Sequence, residues 1–295
     1  MASKKTKGII LLALNHPYYG ELAFNLAMSL KFTSPNLSIT LLADAGGMAY
    51  LTADKQKLFD GIILCPETYS TFRGRKNYLK PKVYLNHFTP YDKTLFLDVD
   101  MIMTPKKSIE SLMDDCNGVA FTMQNRGHLD LEHGNLDNGF IIWANSKEIK
   151  ESHNFTTGKL YNLSSELIYW EKGKKSDNIF TDAQRLLESP GVKYTDFAGG
   201  VPDELPFAIS MIKNDCYPHI DTWRPIYWES FDKVQPTEGD INSKYFGVSL
   251  GGNIIPNYTK KIYSNLVKFY GRHHGVTIHG SVKDKRQFLT DRKSI

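Results

Sequence analysis

Asp98 and Asp100 flank Val99 directly after the apolar run Thr94-Leu95-Phe96-Leu97 and before Met101-Ile102-Met103, so two carboxylates stand where a buried strand emerges. In an extended segment, residues two apart point the same way. Like charges held together there repel, and the usual remedies are a raised pKa on one of them or a bound cation. Hard divalent ions such as Mn²⁺ or Mg²⁺ prefer oxygen ligands and pair with the diphosphate of a nucleotide. The pair therefore marks a candidate metal and nucleotide site. Other chemistries lack their signatures. No G-x-G-x-x-G follows the first strand and no G-K-[ST] occurs, which removes the main support for dinucleotide-binding and P-loop readings. Cys65, Cys116 and Cys216 are odd in number, widely spaced and without a C-x-x-C, so they predict buried free thiols, not a disulfide framework or a zinc knuckle.

The elements that must position these acids are those of an α/β chain. Gly8–Leu14 is a short apolar run of the buried-strand type, and Leu22, Leu26 and Leu30 with Ala23 and Ala27 then recur at helical spacing. Further strands are predicted at Leu37–Leu42, Gly61–Leu64 and Thr94–Leu97, with a helix from Lys82 to Phe88. Strands separated by helices predict a mixed, mainly parallel central sheet with ligands at the strands' carboxyl ends. Beyond Asp100 the pattern predicts strands at Gly118–Thr122 and Phe140–Trp143, then helices and long loops from about 150 to 245. Without repeats or a linker, the 295 residues are expected to form one domain. It divides at about 125 into a nucleotide-binding half from about 8 and an elaborated sugar- and acceptor-binding half to about 283, with 284–295 as a basic tail.

An apolar content of 41% suits a well-buried core, and a net charge of +4 suits an anionic ligand such as a nucleotide diphosphate. No apolar run approaches the roughly 18 residues of a membrane span, and Met1–Lys7 lacks the apolar stretch of a secretory signal, so a cytoplasmic location is expected. Basic runs at Arg73-Gly74-Arg75-Lys76 and in the tail leave nucleic acid open as a partner.

The segment from Lys82 through Tyr91 and Lys93 to Asp98-Val99-Asp100 resembles the lysine-helix-Tyr-x-Lys-strand-DxD segment of glycogenin-like members of glycosyltransferase family 8, retaining enzymes of GT-A fold. The resemblance implies a GT-A (Rossmann-like) fold, a UDP-sugar donor and Mn²⁺ (or Mg²⁺) held by Asp98 and Asp100, with Val99 between them and Lys82 on the donor. Val276–Lys283 resembles the family's later segment, implying His279 as third metal ligand and Gly280 and Lys283 at the diphosphate; His273 and His274 are the competing imidazoles. The first β-α turn, Leu14-Asn15-His16-Pro17-Tyr18-Tyr19, is similar to the family's opening and implies that Tyr19 stacks on uracil. Asp137-Asn138-Gly139 resembles an Asn-x-Gly segment that runs into a strand beside the donor sugar, with Asp137 in place of Asn. Asp203-Glu204 resembles an Asp-Gln motif on the sugar hydroxyls, with Glu204 in place of Gln, and Asp182 is a competing match. Asp137, Asp203 and Glu204 are thus the candidate catalytic residues. The implied activity is metal-dependent glycosyl transfer with retention to an acceptor left open, in which a saccharide, glycolipid or protein ranks ahead of nucleic acid. The rival readings are a nucleotidyltransferase of similar fold and a catalytically silent sugar- or nucleotide-binding protein.

Overall fold

A computed structural model describes residues 6–77, 79–134, 136, 140–197, 200–228, 236–251 and 257–276. Lys7–Ala13 forms β1, buried along nearly its whole length. The helix α1, Pro17–Thr33, opens with the His16 side chain accepting from the Tyr18 amide at 3.0 Å and with proline at its first position, where no backbone donor is lost. Ser38–Ala43 (β2) and Gly61–Leu64 (β3) extend the sheet, and Lys93–Leu97 (β4) lies on the other side of β1. All four run parallel, as the alternation of strand and helix patterns predicts.

Two more strands complete the sheet, and both depart from the expected pattern. β5 covers Phe121–Asp130 where the sequence predicts 118–122, and β6 covers Lys159–Glu171 inside a stretch predicted to be helix and loop. The order is β3-β2-β1-β4-β6-β5, with β6 antiparallel to both neighbours. β6 escapes sequence reading because it is buried on both faces along most of its length, so it lacks alternation. Asn162, Ser164, Ser165 and Glu166 also interrupt its apolar run. The expected strand at 140–143 is reduced to Phe140–Ile141, which pairs with Ala144–Asn145 as a small hairpin outside the central sheet.

Alternate residues of β1 feed different cores. Ile9, Leu11 and Ala13 face α1 and a late helix, α4 (Asn257–His273), whereas Ile10 and Leu12 face α2 (Lys174–Glu188) and α3 (Glu204–Lys213). The result is a helix-sheet-helix sandwich, the architecture in which ligands bind at the carboxyl edge of the strands. Met101–Met103 leaves that edge and pairs with Gly247–Ser249, which pairs in turn with Ile226–Tyr227. This second sheet carries the Ser249–Gly251 segment back to the paired aspartates: the Leu250 amide donates to the Asp100 carbonyl at 2.8 Å. Among the described residues no helix is long and apolar enough to cross a membrane.

Candidate active site

The register of β1 on β4, Leu11 opposite Leu97, sets the Leu14-Asn15 turn beside Asp98-Val99-Asp100 on one edge of the sheet. The turn is held by Asp44, whose carboxylate accepts from the Asn15 amide at 2.8 and 2.9 Å and from the Gly47 amide at 2.9 Å. Asn15 adopts a left-handed φ of 69°, which Asn tolerates better than most residues. Tyr19 lies in the first turn of α1, half-buried against the core, with its ring centroid 5.8 Å from that of Tyr18.

Around the two aspartates, charge is buried and concentrated. Lys82 sits on a short 3₁₀ turn, Lys80–Tyr84, and is only 5% exposed. Its Nζ donates to Asp98 Oδ2 at 2.9 Å and to Ser165 Oγ at 3.1 Å, and lies 3.8 Å from Asp203 Oδ2. Burial works against its charge, but Asp98, Asp203 and Glu204 outweigh that penalty and hold the ammonium above its ordinary pKa. Asp203 stands just before α3, is 1% exposed, and its Oδ2 lacks a hydrogen-bond partner among the described residues. Glu204 accepts from Ser165 Oγ at 3.4 Å; burial, then the neighbouring Asp203, push its carboxyl up to about 7.

Sequence reading missed Glu166. Its backbone carbonyl accepts the Asp98 amide at 2.8 Å, and its carboxylate accepts from Ser249 Oγ at 2.7 Å and from Gln124 Nε2 at 3.3 Å. Burial, followed by repulsion from Asp100, raises it to about 7. The β5–β6 register jumps between Ser164 and Ile168, so the strand bulges where Ser165 and Glu166 meet the site, a common device for re-aiming side chains beside an active centre. A Cβ on Gly251 would stand 2.4 Å from Glu166 Oε1, so any larger residue there would displace the carboxylate. Arg126 supplies a second cation near Glu166 and Glu204; burial pulls it down to about 10, and its guanidinium lies 4.7 Å from the Trp228 ring. A polar Ser-Ser-Glu trio inside an otherwise apolar strand was the available signal.

The structure thus brings together Leu14, Asn15, Val99, Lys82, Asp98, Asp100, Asp203 and Glu204. It separates Asp182, which pairs with Arg185 at 2.7 Å and accepts from Asn214 at 2.9 Å on the outer face of α2. His273 packs edge-on against Phe32 at 4.6 Å, and His274 Nε2 contacts the Met28 carbonyl at 2.9 Å, so both competing imidazoles are engaged with α1. Asp137, His279, Gly280 and Lys283 lie outside the described residues. The strand beside the aspartates is β6, and the short strand that follows Asp137 in sequence, Phe140–Ile141, belongs to the Phe140–Asn145 hairpin. Among the described residues, no three carboxylate, imidazole or thiolate groups converge on one point suited to an ion.

No protein-family model matches the sequence, and no curated protein does. Solved structures do match its fold. The WbbM bifunctional glycosyltransferase aligns over 90% of this chain with a TM-score of 0.56 and 12% identity; the chain spans 50% of that protein's length. The galactosyltransferase LgtC, solved with donor and acceptor sugar analogues, aligns over 92% of this chain and 97% of its own, with a TM-score of 0.54 and 12% identity. GlyE of Streptococcus pneumoniae gives 0.51 and 13% identity over 94% of this chain and 66% of its own. The fold is that of the GT-A glycosyltransferases.

Proposed function

We infer that the chain transfers a glycosyl group from a nucleotide-sugar donor, with a UDP-sugar the first choice. The observation that carries this reading is the buried meeting of Lys82, Asp98, Asp203 and Glu204 at the carboxyl edge of a GT-A sheet. A ligand that brings positive charge suits this edge: five carboxylates, Asp98, Asp100, Glu166, Asp203 and Glu204, face the two cations Lys82 and Arg126. All are hard oxygen donors, which fit Mn²⁺ or Mg²⁺ and not a soft metal. Asp98 and Asp100 would hold the ion, with His279 as the third ligand. When bound, it would neutralise the diphosphate as the bond to the sugar breaks.

The remaining roles belong to the chain's own groups. Leu14, Asn15 and Val99 line the nucleotide side, and Tyr19 offers a ring to the base. Lys82, with Gly280 and Lys283, would meet phosphate oxygens on which charge develops in the transition state, where a fixed cation acts most strongly. Asp203, Glu204 and Asp137 would grip sugar hydroxyls, and the Asp203 oxygen without a hydrogen-bond donor among the described residues is suited to receive one. Retention at the anomeric carbon follows from the resemblance alone. The test is release of nucleoside diphosphate from UDP-glucose, UDP-galactose and GDP-mannose with Mn²⁺, expected for at least one donor and abolished by excess EDTA. Release of pyrophosphate would favour a nucleotidyltransferase, and no turnover of any donor would favour a silent binder.

A further inference from the structure

Two hairpins of the same kind flank the loop that leads into Asp203. Thr71–Phe72 pairs with Arg75–Lys76 across an Arg73-Gly74 turn with φ of 49° and 75°, and Phe140–Ile141 pairs with Ala144–Asn145 across an Ile142-Trp143 turn with φ of 46° and 71°. Positive φ at both central positions identifies type I′ turns, in which Asn and Gly are the usual occupants. Ile and Trp there are strained, and strain of this kind persists where the surroundings enforce it and clusters at functional sites. Trp143 is held half-buried at the tip, its ring centroid 5.0 Å from that of Phe197, while its carbonyl accepts the Thr195 amide at 2.8 Å.

The first tip is cationic. Residues 71–82 contain five Lys or Arg and no acid. Arg73, Arg75 and Lys76 are exposed, and neither Arg75 nor Lys76 forms an ion pair among the described residues. Arg73 lies over the Phe72 ring at 4.9 Å and reaches the Glu188 carbonyl at 3.4 Å. Both tips are tied to the catalytic cluster. Asn77 Oδ1 accepts the Leu79 and Lys80 amides at 2.9 and 2.8 Å, fixing the turn that carries Lys82. A Cβ on Gly200 would stand 2.7 Å from Asn77 Nδ2 and 3.4 Å from Phe72, so the loop rests on the cationic hairpin. Phe197 and Gly200 exchange backbone hydrogen bonds at 3.1 and 3.2 Å, and Asp203 follows three residues later.

A fixed cationic tip and a strained aromatic tip, joined through one loop to Lys82 and Asp203, form a rim that combines phosphate recognition with a stacking face. We propose that this rim binds a nucleic-acid strand as the macromolecular acceptor, with phosphates on Arg73, Arg75 and Lys76 and an unpaired base on Trp143. The proposal rests on the glycosyl-transfer reading for its acceptor role, and it departs from the ranking that the sequence alone suggested. An unpaired base is favoured over a duplex because a half-buried indole offers one flat face, and a stacked base pair cannot present its own.

The experiment measures fluorescence anisotropy of a labelled thymidine strand of about 20 nucleotides, longer than a single stacking platform spans, and of the matching duplex. UDP-sugar hydrolysis is followed in parallel on the same full chain. Replacing Arg73→Ala, Arg75→Ala and Lys76→Ala together is expected to weaken strand binding at least about tenfold and to flatten the log-log salt slope by about 2, for three lost phosphate contacts. Donor hydrolysis should be unchanged. Trp143→Ala is expected to weaken strand binding at least about fivefold; the surface triple variant keeps the test decisive if that protein misfolds. Strand binding by the triple variant equal to the parent's would overturn the proposal, and so would tighter binding of chondroitin sulfate than of the strand. Equal affinity for duplex and single strand would overturn the stacked base. A parent that binds the strand but hydrolyses none of the donors would overturn the transfer reading, and the acceptor role with it.

Discussion

Two regions of the same sheet edge carry carboxylates in opposite circumstances. At the first β-α turn, Asp44 accepts backbone amides from Asn15 and Gly47 and so has donors for its charge within the fold. Around Asp98 and Asp100, Glu166 and Glu204 are buried beside other acids, Asp100 and Asp203, and are pushed up to about 7. The first arrangement is a backbone brace; the second stores electrostatic repulsion that a positively charged ligand would relieve. Acids at a strand end are therefore not equivalent. What separates the two is the company each acid keeps: Glu166 and Glu204 also accept hydrogen bonds, but they are buried beside Asp100 and Asp203.

The sharpest way to break that contrast is Asp100→Asn. If the crowded carboxylates are functional, turnover of the donor should fall by at least about a hundredfold, the scale for loss of a key electrostatic group. The fold should stay intact, because the Asp100 backbone carbonyl still accepts the Leu250 amide. Steady-state nucleoside diphosphate release together with thermal melting would check both halves; unchanged turnover would make the paired aspartates a structural turn.

Asp44→Ala probes the other region. Removing the carboxylate strands the amides of Asn15 and Gly47, and the expected outcome is a loss of about 2 kcal/mol of stability, within the range for buried donors left without an acceptor. Urea denaturation would measure it. A variant as stable as the parent, with weakened nucleotide binding, would move Asp44 from brace to ligand and erase the distinction.

The contrast also explains what could be read in advance. Lys82, Asp98 and Asp100 lie within one short stretch, and the apolar strand before the acids announces where they emerge. Asp203 and Glu204 were legible only through resemblance, and geometry was needed to see that Asp203, which stands just before α3, lies beside Lys82, whereas Asp182 sits midway along α2. Glu166 left only the polar interruption Ser164-Ser165-Glu166 as a signal, and Arg126 and Ser249 left none. They come from a strand buried on both faces, a strand whose start was misplaced, and a segment returned from far along the chain by a second sheet. Such positions depend on long-range pairing that no local pattern encodes.

The smallest expected effect isolates Glu166 through pH. Its folded-state pKa near 7 lies above the ordinary value of 4.5, so the folded chain binds the proton more tightly than the unfolded chain does. By linkage, the stability contributed by this protonated carboxyl is fully present below about 4.5 and is lost as pH rises through about 7. Glu204, raised to about 7 as well, acts in the same direction. The metal-free protein should therefore become less stable between pH 4.5 and 7, contrary to a salt-bridged acid, whose contribution is lost on acidification. Glu166→Gln removes one share of that slope while keeping an oxygen to accept from Ser249. The variant should gain at least about 1 kcal/mol relative to the parent on going from pH 5 to pH 8, the part of the shift titrated between those values; the acceptor that Gln lacks toward Gln124 costs the same at both pH values and cancels. Chemical denaturation in EDTA at the two pH values would measure the difference. Parallel behaviour of parent and variant would mean that Glu166 titrates like an ordinary carboxyl, and the opposition between braced and repelled acids would then rest on Glu204 alone.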